Sequence, residues 1–296
     1  MEKMRNYEET SGKGKTGLVM EGGGMRGLYT AGILDILMEN GIETDGAIGV
    51  SAGAVFGCNY KSRQIGRPIR YNLAYSKDPR YMSFRSLIKT GDYFGADFCY
   101  RKLPNELDLF DVKTYAENPM DFYVVCTDVN TGRPVYHLAN RGDDHDVQWM
   151  RASASMPFFA KAVELDGYEL LDGGVSDSIP LVWFCGQGFT KNLVILTRPA
   201  GYRKQPSKFA PLMNLALRKR PALAHAMANR HVMYNEELDE VERQEKAGTA
   251  YVMRPDASMK ISRTENDPEK LKAMYEYGRK EGERHLEGIR RFLKTK

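Results

Sequence analysis

Two rhythms of apolar residues run through the chain. Short continuous runs, Leu18-Val19-Met20, Ala47-Ile48-Gly49-Val50, Phe122 to Thr127 and Asn192 to Thr197, read as buried strands. Between the first two, Leu28, Ala31, Ile33, Leu34 and Leu37 recur at helical spacing, and Gly41 stands where a helix C-terminus takes a residue of positive φ. Residues 51–60 continue as a helix with small residues toward a sheet. Asn130 to Pro134 is a turn into a strand at Val135 to Leu138, and Gln148 to Phe159 reads as a helix stopped at Pro157. Ala162 to Leu165 and Tyr168 to Leu171 flank Asp166-Gly167, a two-residue hairpin signal. A helix begins at Pro180 to Phe184, and residues 211–247 have a helical pattern broken at Pro221. Thr249 to Met253 reads as a last strand. A long amphipathic helix closes the chain, with Asn266 or Asp267 as N-cap, Pro268 near its first turn, and Leu271, Met274, Tyr275, Gly278, His285, Leu286, Ile289, Phe292 and Leu293 on one face.

Strands alternating with helices predict an α/β fold with a mostly parallel central sheet flanked by helices, in which chemistry gathers at the carboxyl ends of the strands. Both glycine-rich corners, after Met20 and after Val50, and Asp172 are expected at such ends. The pattern divides the chain into a flexible leader over 1–15, a core over 16–200, and a mainly helical C-terminal extension over 201–296 with one further strand. Residues 61–119 are irregular and aromatic, as short helices or a lid over a lipid-sized cleft would be, or as plain core.

Composition changes this picture little: 42% hydrophobic and 28% charged residues suit an ordinary globular protein of 296 residues. No run approaches the length of a spanning helix, and the polar N-terminus lacks a signal peptide's apolar segment. Cys58, Cys99, Cys126 and Cys185 are scattered without metal-ligand or redox spacing, so neither structural metal nor a disulfide framework is expected and a cytoplasmic setting is the default. A net charge of +4 does not imply nucleic acid. Its placement matters more: residues 178–235 hold nine Lys or Arg and no acid. The 191–230 part of that stretch, with Arg203, Lys204, Lys208 and Arg218-Lys219-Arg220 beside Tyr202, Phe209, Leu212 and Met213, suits an anionic membrane surface or a solvated basic face.

Three short motifs carry candidate chemistry. Gly22-Gly23-Gly24-Met25-Arg26-Gly27 follows a strand and fits the dinucleotide spacing, but the acids near the second strand, Glu43 and Asp45, precede it, and its far end carries Ser51. Gly49-Val50-Ser51-Ala52-Gly53 has the spacing of a nucleophile elbow, a sharp strand-to-helix turn that exposes a serine oxygen; its plainer reading is a serine helix cap. Acyl transfer needs donors for an oxyanion, each worth about 100- to 1,000-fold in rate, and the Gly22, Gly23 and Gly24 amides could supply them, with Arg26 adding positive charge. The serine also needs a base. None of His137, His145, His225, His231 and His285 sits at a glycine-rich strand end. Asp172 does, with Gly173 and Gly174 clearing space around it; Asp128 is the second candidate.

With these residues in place the sequence resembles the patatin-like phospholipase family. The resemblance rests on a GGGxRG loop at Gly22 to Gly27, a GxSxG elbow at Gly49 to Gly53 and a DGG motif at Asp172 to Gly174, in that order, and on Ala152-Ser153-Ala154-Ser155-Met156-Pro157-Phe158-Phe159; it covers about residues 16–197. It implies a three-layer fold and a Ser-Asp dyad without histidine. Ser51 would attack the ester carbonyl, Asp172 would accept its proton, the Gly22 to Gly24 amides would hold the oxyanion, and Arg26, Gly27, Gly49, Gly53, Gly173 and Gly174 would support them. No cofactor or metal is implied. The expected activity is hydrolysis of phospholipid or lysophospholipid esters through an acyl-enzyme; a silent lipid-binding or regulatory protein on the same fold is the alternative. Head group, acyl position, chain length and oligomeric state are open at this level.

Overall fold

The computed structural model describes residues 14–258 and 261–294, so nearly all of the expected leader lies outside the described residues. The first half of the chain forms β1 (Lys15–Met20), α1 (Leu28–Glu39), β2 (Gly46–Val50), α2 (Ala52–Lys61), α3 (Arg67–Tyr75), α4 (Phe84–Thr90) and α5 (Val112–Glu117). Next come β3 (Asp121–Asp128), β4 (Pro134–Leu138), α6 (Asp144–Ser153), β5 (Val163–Leu165), β6 (Tyr168–Asp172), α7 (Leu181–Gly186) and β7 (Phe189–Ile195). The last part is α8 (Ala210–Ala216), α9 (Pro221–Ala247), β8 (Ala250–Met253) and α10 (Pro268–Lys294).

One eight-stranded sheet runs β5-β6-β3-β2-β1-β7-β8, with β4 also on β3. Strands β3, β2, β1, β7 and β8 are parallel, whereas β4, β5 and β6 run antiparallel to their neighbours. Strand alternation assigns two faces. Leu18, Met20, Ala47, Phe122, Val124, Leu193 and Ile195 pack with α1, α2 and α10, while Val19, Ile48, Val50, Val125 and Val194 pack with α7 and α9. The result is a mixed α/β fold of helix, sheet and helix layers.

The DG hairpin forms as expected, with Asp166 and Gly167 both at positive φ (51° and 81°) between β5 and β6. Gly41 takes φ 61° just past α1. The helix read from Gln148 begins earlier, because Asp143 caps it by accepting from the Asp146 N–H, and it ends at Ser153, before Pro157. At the start of α10, Asp267 is the capping residue of the two candidates, its carboxylate accepting from the Glu269 N–H at 3.1 Å.

The C-terminal helix is less of an extension than its pattern suggested. It lies directly on α1, where a Cβ on Gly32 would come within 2.2 Å of the Tyr275 carbonyl oxygen and one on Gly278 within 2.2 Å of the Tyr29 oxygen. Asp35 of α1, buried, accepts from the Tyr275 hydroxyl at 2.6 Å. With the sheet on one side and α10 on the other, α1 is buried continuously from Leu28 to Leu37.

Candidate active site

The site is assembled where β1 and β2 end. Ser51 stands between β2 and α2 at φ 55° and ψ −122°, a conformation that costs a non-glycine residue energy and points to a constrained corner. Its side chain makes no helix-capping bond, so the plainer reading as an N-cap fails. The glycines on either side are steric necessities: a Cβ on Gly49 would meet the Gly53 oxygen at 2.5 Å, and one on Gly53 the Met20 oxygen at 2.3 Å. Ser153, fully buried at the end of α6, locks the corner by accepting from the Ser51 N–H at 2.8 Å and donating to the Val125 carbonyl at 2.6 Å.

The glycine loop lies alongside. Gly22 is so close that a Cβ would come within 2.9 Å of the Ser51 Cβ. The loop's shape is fixed from just beyond β7: Thr197 donates its N–H to Glu21 at 2.5 Å and its hydroxyl to the Gly22 carbonyl at 2.9 Å. Gly24, at φ 58°, is pressed against the Arg263 carbonyl, which accepts from the Met25 N–H at 3.1 Å. The Met25 amide is therefore engaged, and the Gly22, Gly23 and Gly24 amides are left without an intramolecular acceptor among the described residues.

Asp172 reaches the same place by an unexpected route. It does end its strand, as expected, but β6 runs antiparallel to β3 and so approaches this edge of the sheet from the opposite direction to β1 and β2. On β3, Val125 pairs with Val50 of β2 and the next residue, Cys126, pairs with Asp172. Strand β6 thus takes over the edge of β3 where β2 stops, which sets the carboxylate beside Ser51. One Asp172 oxygen accepts from the Gly174 N–H at 2.8 Å. Burial pushes its pKa up, opposed by the charge of Arg230 and by a hydrogen bond from Ser51. A basic carboxylate in contact with a serine hydroxyl can accept that hydroxyl's proton.

The other base candidates lie elsewhere. Asp128 accepts from the Asn130 N–H and the Thr131 hydroxyl and shapes the β3–β4 turn. His137 stacks on Trp149 and pairs with Asp146 at 3.0 Å, His145 pairs with Asp166, and His285 meets the Tyr251 hydroxyl. His225 bonds Asn229 and His231 the Ala228 carbonyl. The cysteines are free.

Two cavities meet at Ser51. One, of about 100 Å³, is lined by Val55, Phe56, Tyr71, Tyr81, Phe94, Tyr100, Leu103 and Met150. The aromatic stretch at 61–119 serves as both core and lining: Tyr71, Tyr81, Tyr93 and Phe98 are buried, and Tyr71 and Tyr81 also face this cavity. The second, of about 260 Å³, holds Asp172 and Gly22 to Gly24 together with Arg26, Arg198, Lys204, Arg230 and Arg263.

The basic stretch is divided by the fold rather than spread as one patch. Arg198, Lys204 and Arg230 line the second cavity, Arg203 pairs with Asp239 at 2.7 Å, and Arg220 pairs with Glu169. Lys208, Arg218 and Lys219 stay exposed beside exposed Phe209, Leu212 and Leu215. Sequence reasoning missed Ser153, Glu21, Thr197, Arg230 and Arg263. Ser153 lay within the quoted ASASMPFF run; the other four carry no local signal, since nothing near them announces a partner so distant in sequence.

A mostly parallel sheet here presents a strained serine, a glycine loop and a buried aspartate at one edge of an α/β fold. The family model for patatin-like phospholipase matches residues 18–182, and the chain belongs to that family. A second model, described only as a domain of unknown function (DUF6363), matches residues 220–294. The uncharacterized protein YjjU of Escherichia coli is 31% identical over 205 residues, 66% of this chain and 56% of that protein. The lysophospholipase nte1 of Aspergillus oryzae is 25% identical over 260 residues, 81% of this chain but 16% of that protein. The chain thus spans about half of one relative and a small part of the other. VipD from Legionella pneumophila aligns over 94% of this chain and 68% of its own at 12% identity and a TM-score of 0.47. No helix among the described residues is long and apolar enough to cross a membrane.

Proposed function

We propose that the protein is a lipid acyl hydrolase of the phospholipase A or lysophospholipase type, a serine carboxylic-ester hydrolase using Ser51 and Asp172. The observation that carries this reading is the strained Ser51 set with the buried Asp172 carboxylate and the Gly22 to Gly24 turn in one cavity, at the mouth of an apolar one. Ser51 Oγ attacks the ester carbonyl as its proton passes to Asp172. The Gly22, Gly23 and Gly24 amides receive the oxyanion. The proton returns to the departing alcohol, and water, deprotonated by Asp172, then attacks the acyl-Ser51 carbonyl to release the carboxylic acid and restore the hydroxyl. Arg26 and Gly27 hold the loop's charge and packing, while Gly49, Gly53, Gly173 and Gly174 make room for the two reacting groups. The acyl chain occupies the aromatic cavity.

Labelling with a fluorophosphonate probe tests the assignment: the modified peptide should contain Ser51, and labelling elsewhere in the native protein would sink it. The exposed Phe209, Leu212 and Leu215 beside Lys208, Arg218 and Lys219 support docking on an anionic bilayer, at about 1 kcal/mol per basic residue near the surface. Changing those three cations to Glu should weaken sedimentation with phosphatidylserine vesicles, and unchanged sedimentation would remove the membrane role from this surface. A silent lipid-binding role on the same fold predicts vesicle binding with no fatty acid released from any lipid class.

A further inference from the structure

The cavity on the Asp172 side of Ser51 is unusual in its charge. Arg26 comes from the glycine loop, Arg198 and Lys204 from the segment after β7, Arg230 from α9 and Arg263 from the segment before α10. None of the five has an ion-pair partner among the described residues. Arg26 is only 8% exposed, and its Nε is buried without a hydrogen-bond partner. Burial together with Arg230 and Arg263 lowers the Lys204 pKa to about 7, and burial together with Arg198 and Arg263 lowers that of Arg26 to about 10. Like charges gathered out of water are unfavourable until an anion joins them.

The protein's own groups do not neutralise this cluster. The cavity's two acids, Glu21 and Asp172, leave three positive charges in excess when Lys204 is protonated. Both are already engaged: Glu21 accepts from the Tyr234 hydroxyl at 2.6 Å and from the Thr197 N–H, and Asp172 from Gly174 and Ser51. The rings of Tyr202 and Tyr234 are engaged too, the first by the Arg198 guanidinium at 4.5 Å and the second by the Lys204 ammonium at 4.4 Å. A quaternary ammonium would meet neither a free carboxylate nor either of those ring faces, and it would be repelled. A phosphomonoester brings a charge of about −1.5 to −2 at neutral pH and three acceptor oxygens, which match the excess and the unfilled donors.

Resting on the reading of Ser51 as nucleophile, we propose that this cavity seats a phosphomonoester on the alcohol side of the scissile ester. The preferred substrates are then acyl esters of phosphorylated alcohols rather than choline lipids. The 220–294 segment, through Arg230 and Arg263, supplies this recognition to a site whose reacting groups all lie within 18–182.

The test compares kcat/KM of the full-length protein on lysophosphatidic acid, lysophosphatidylcholine of the same chain, and 4-nitrophenyl butyrate, and titrates the Ser51→Ala protein calorimetrically with inorganic phosphate. The phosphomonoester should be favoured over the choline ester by about tenfold or more, the scale of one charged hydrogen bond. Arg263→Gln, and separately Arg198→Gln, should lose several-fold more activity on lysophosphatidic acid than on the nitrophenyl ester, with Tm held as a check on folding. Phosphate should bind Ser51→Ala and bind the Ser51→Ala/Arg263→Gln protein more weakly. Equal or better turnover of the choline ester, with the nitrophenyl ester hydrolysed, overturns the proposal and leaves the hydrolase reading standing. Phosphate binding without head-group preference also overturns it, marking a site for free anion. Absence of all ester hydrolysis overturns the nucleophile reading, and the head-group seat falls with it.

Discussion

The two cavities that meet at Ser51 are opposites in chemistry and in origin. The apolar one is walled by α2, α3, α6 and the aromatic segment between α3 and β3, all within the family-matched half of the chain. The basic one takes its far wall from beyond β7, from α9 and from the segment before α10. An ester carbonyl held at Ser51 has its hydrocarbon on one side and its alcohol on the other. On the proposed reading, the difference separates reaction and chain binding, assigned to the first part of the protein, from charge selection, assigned largely to the second.

The largest expected effect falls on Asp172, the proposed base for Ser51. Asp172→Asn should lower ester turnover by about 1,000-fold or more, as losses of a general base do. Stability should not fall with it. Because the folded pKa of Asp172 is raised, its charged form weakens the fold above that pKa and is without effect below the unfolded one, so a neutral isostere should leave Tm unchanged or higher. In the wild type the acid limb of kcat/KM should lie above the range of an ordinary aspartate, since activity is lost as pH falls through the raised pKa. A variant with near-normal turnover, or a limb at the usual aspartate position, would remove Asp172 as base. A smaller effect belongs to the apolar side alone. Val55→Trp should reduce kcat/KM for a hexadecanoyl ester by about tenfold, with a lesser loss on an acetyl ester, because a few displaced methylenes carry that much discrimination. Equal losses on both esters would place the chain elsewhere.

The contrast between the cavities also marks how far the sequence could be read. Ser51, the glycine loop and Asp172 were legible because each is announced locally, by a turn, a spacing or a strand end. The DG hairpin, Gly41 and the Asp267 cap follow the same rule of short range. The antiparallel entry of β6 was not legible, since strand direction depends on pairing with β3 rather than on the residues of β6. Nor was the basic wall: Arg198, Lys204 and Arg230 looked like part of one surface stretch, and only the packing of α9 against the sheet turned them inward. Gly32 and Gly278 needed both helices in place before their close approach had a meaning.

The most direct test of Ser51 as nucleophile between two opposed cavities is a crystal structure of the protein inactivated by a long-chain alkyl fluorophosphonate. Phosphorus is expected bonded to Ser51 Oγ, with one phosphonyl oxygen within hydrogen-bond distance of the Gly22 to Gly24 amides and the alkyl chain lying between Tyr71, Tyr81 and Phe94. An adduct on another residue, or an alkyl chain lying among Arg198, Arg230 and Arg263, would contradict that arrangement.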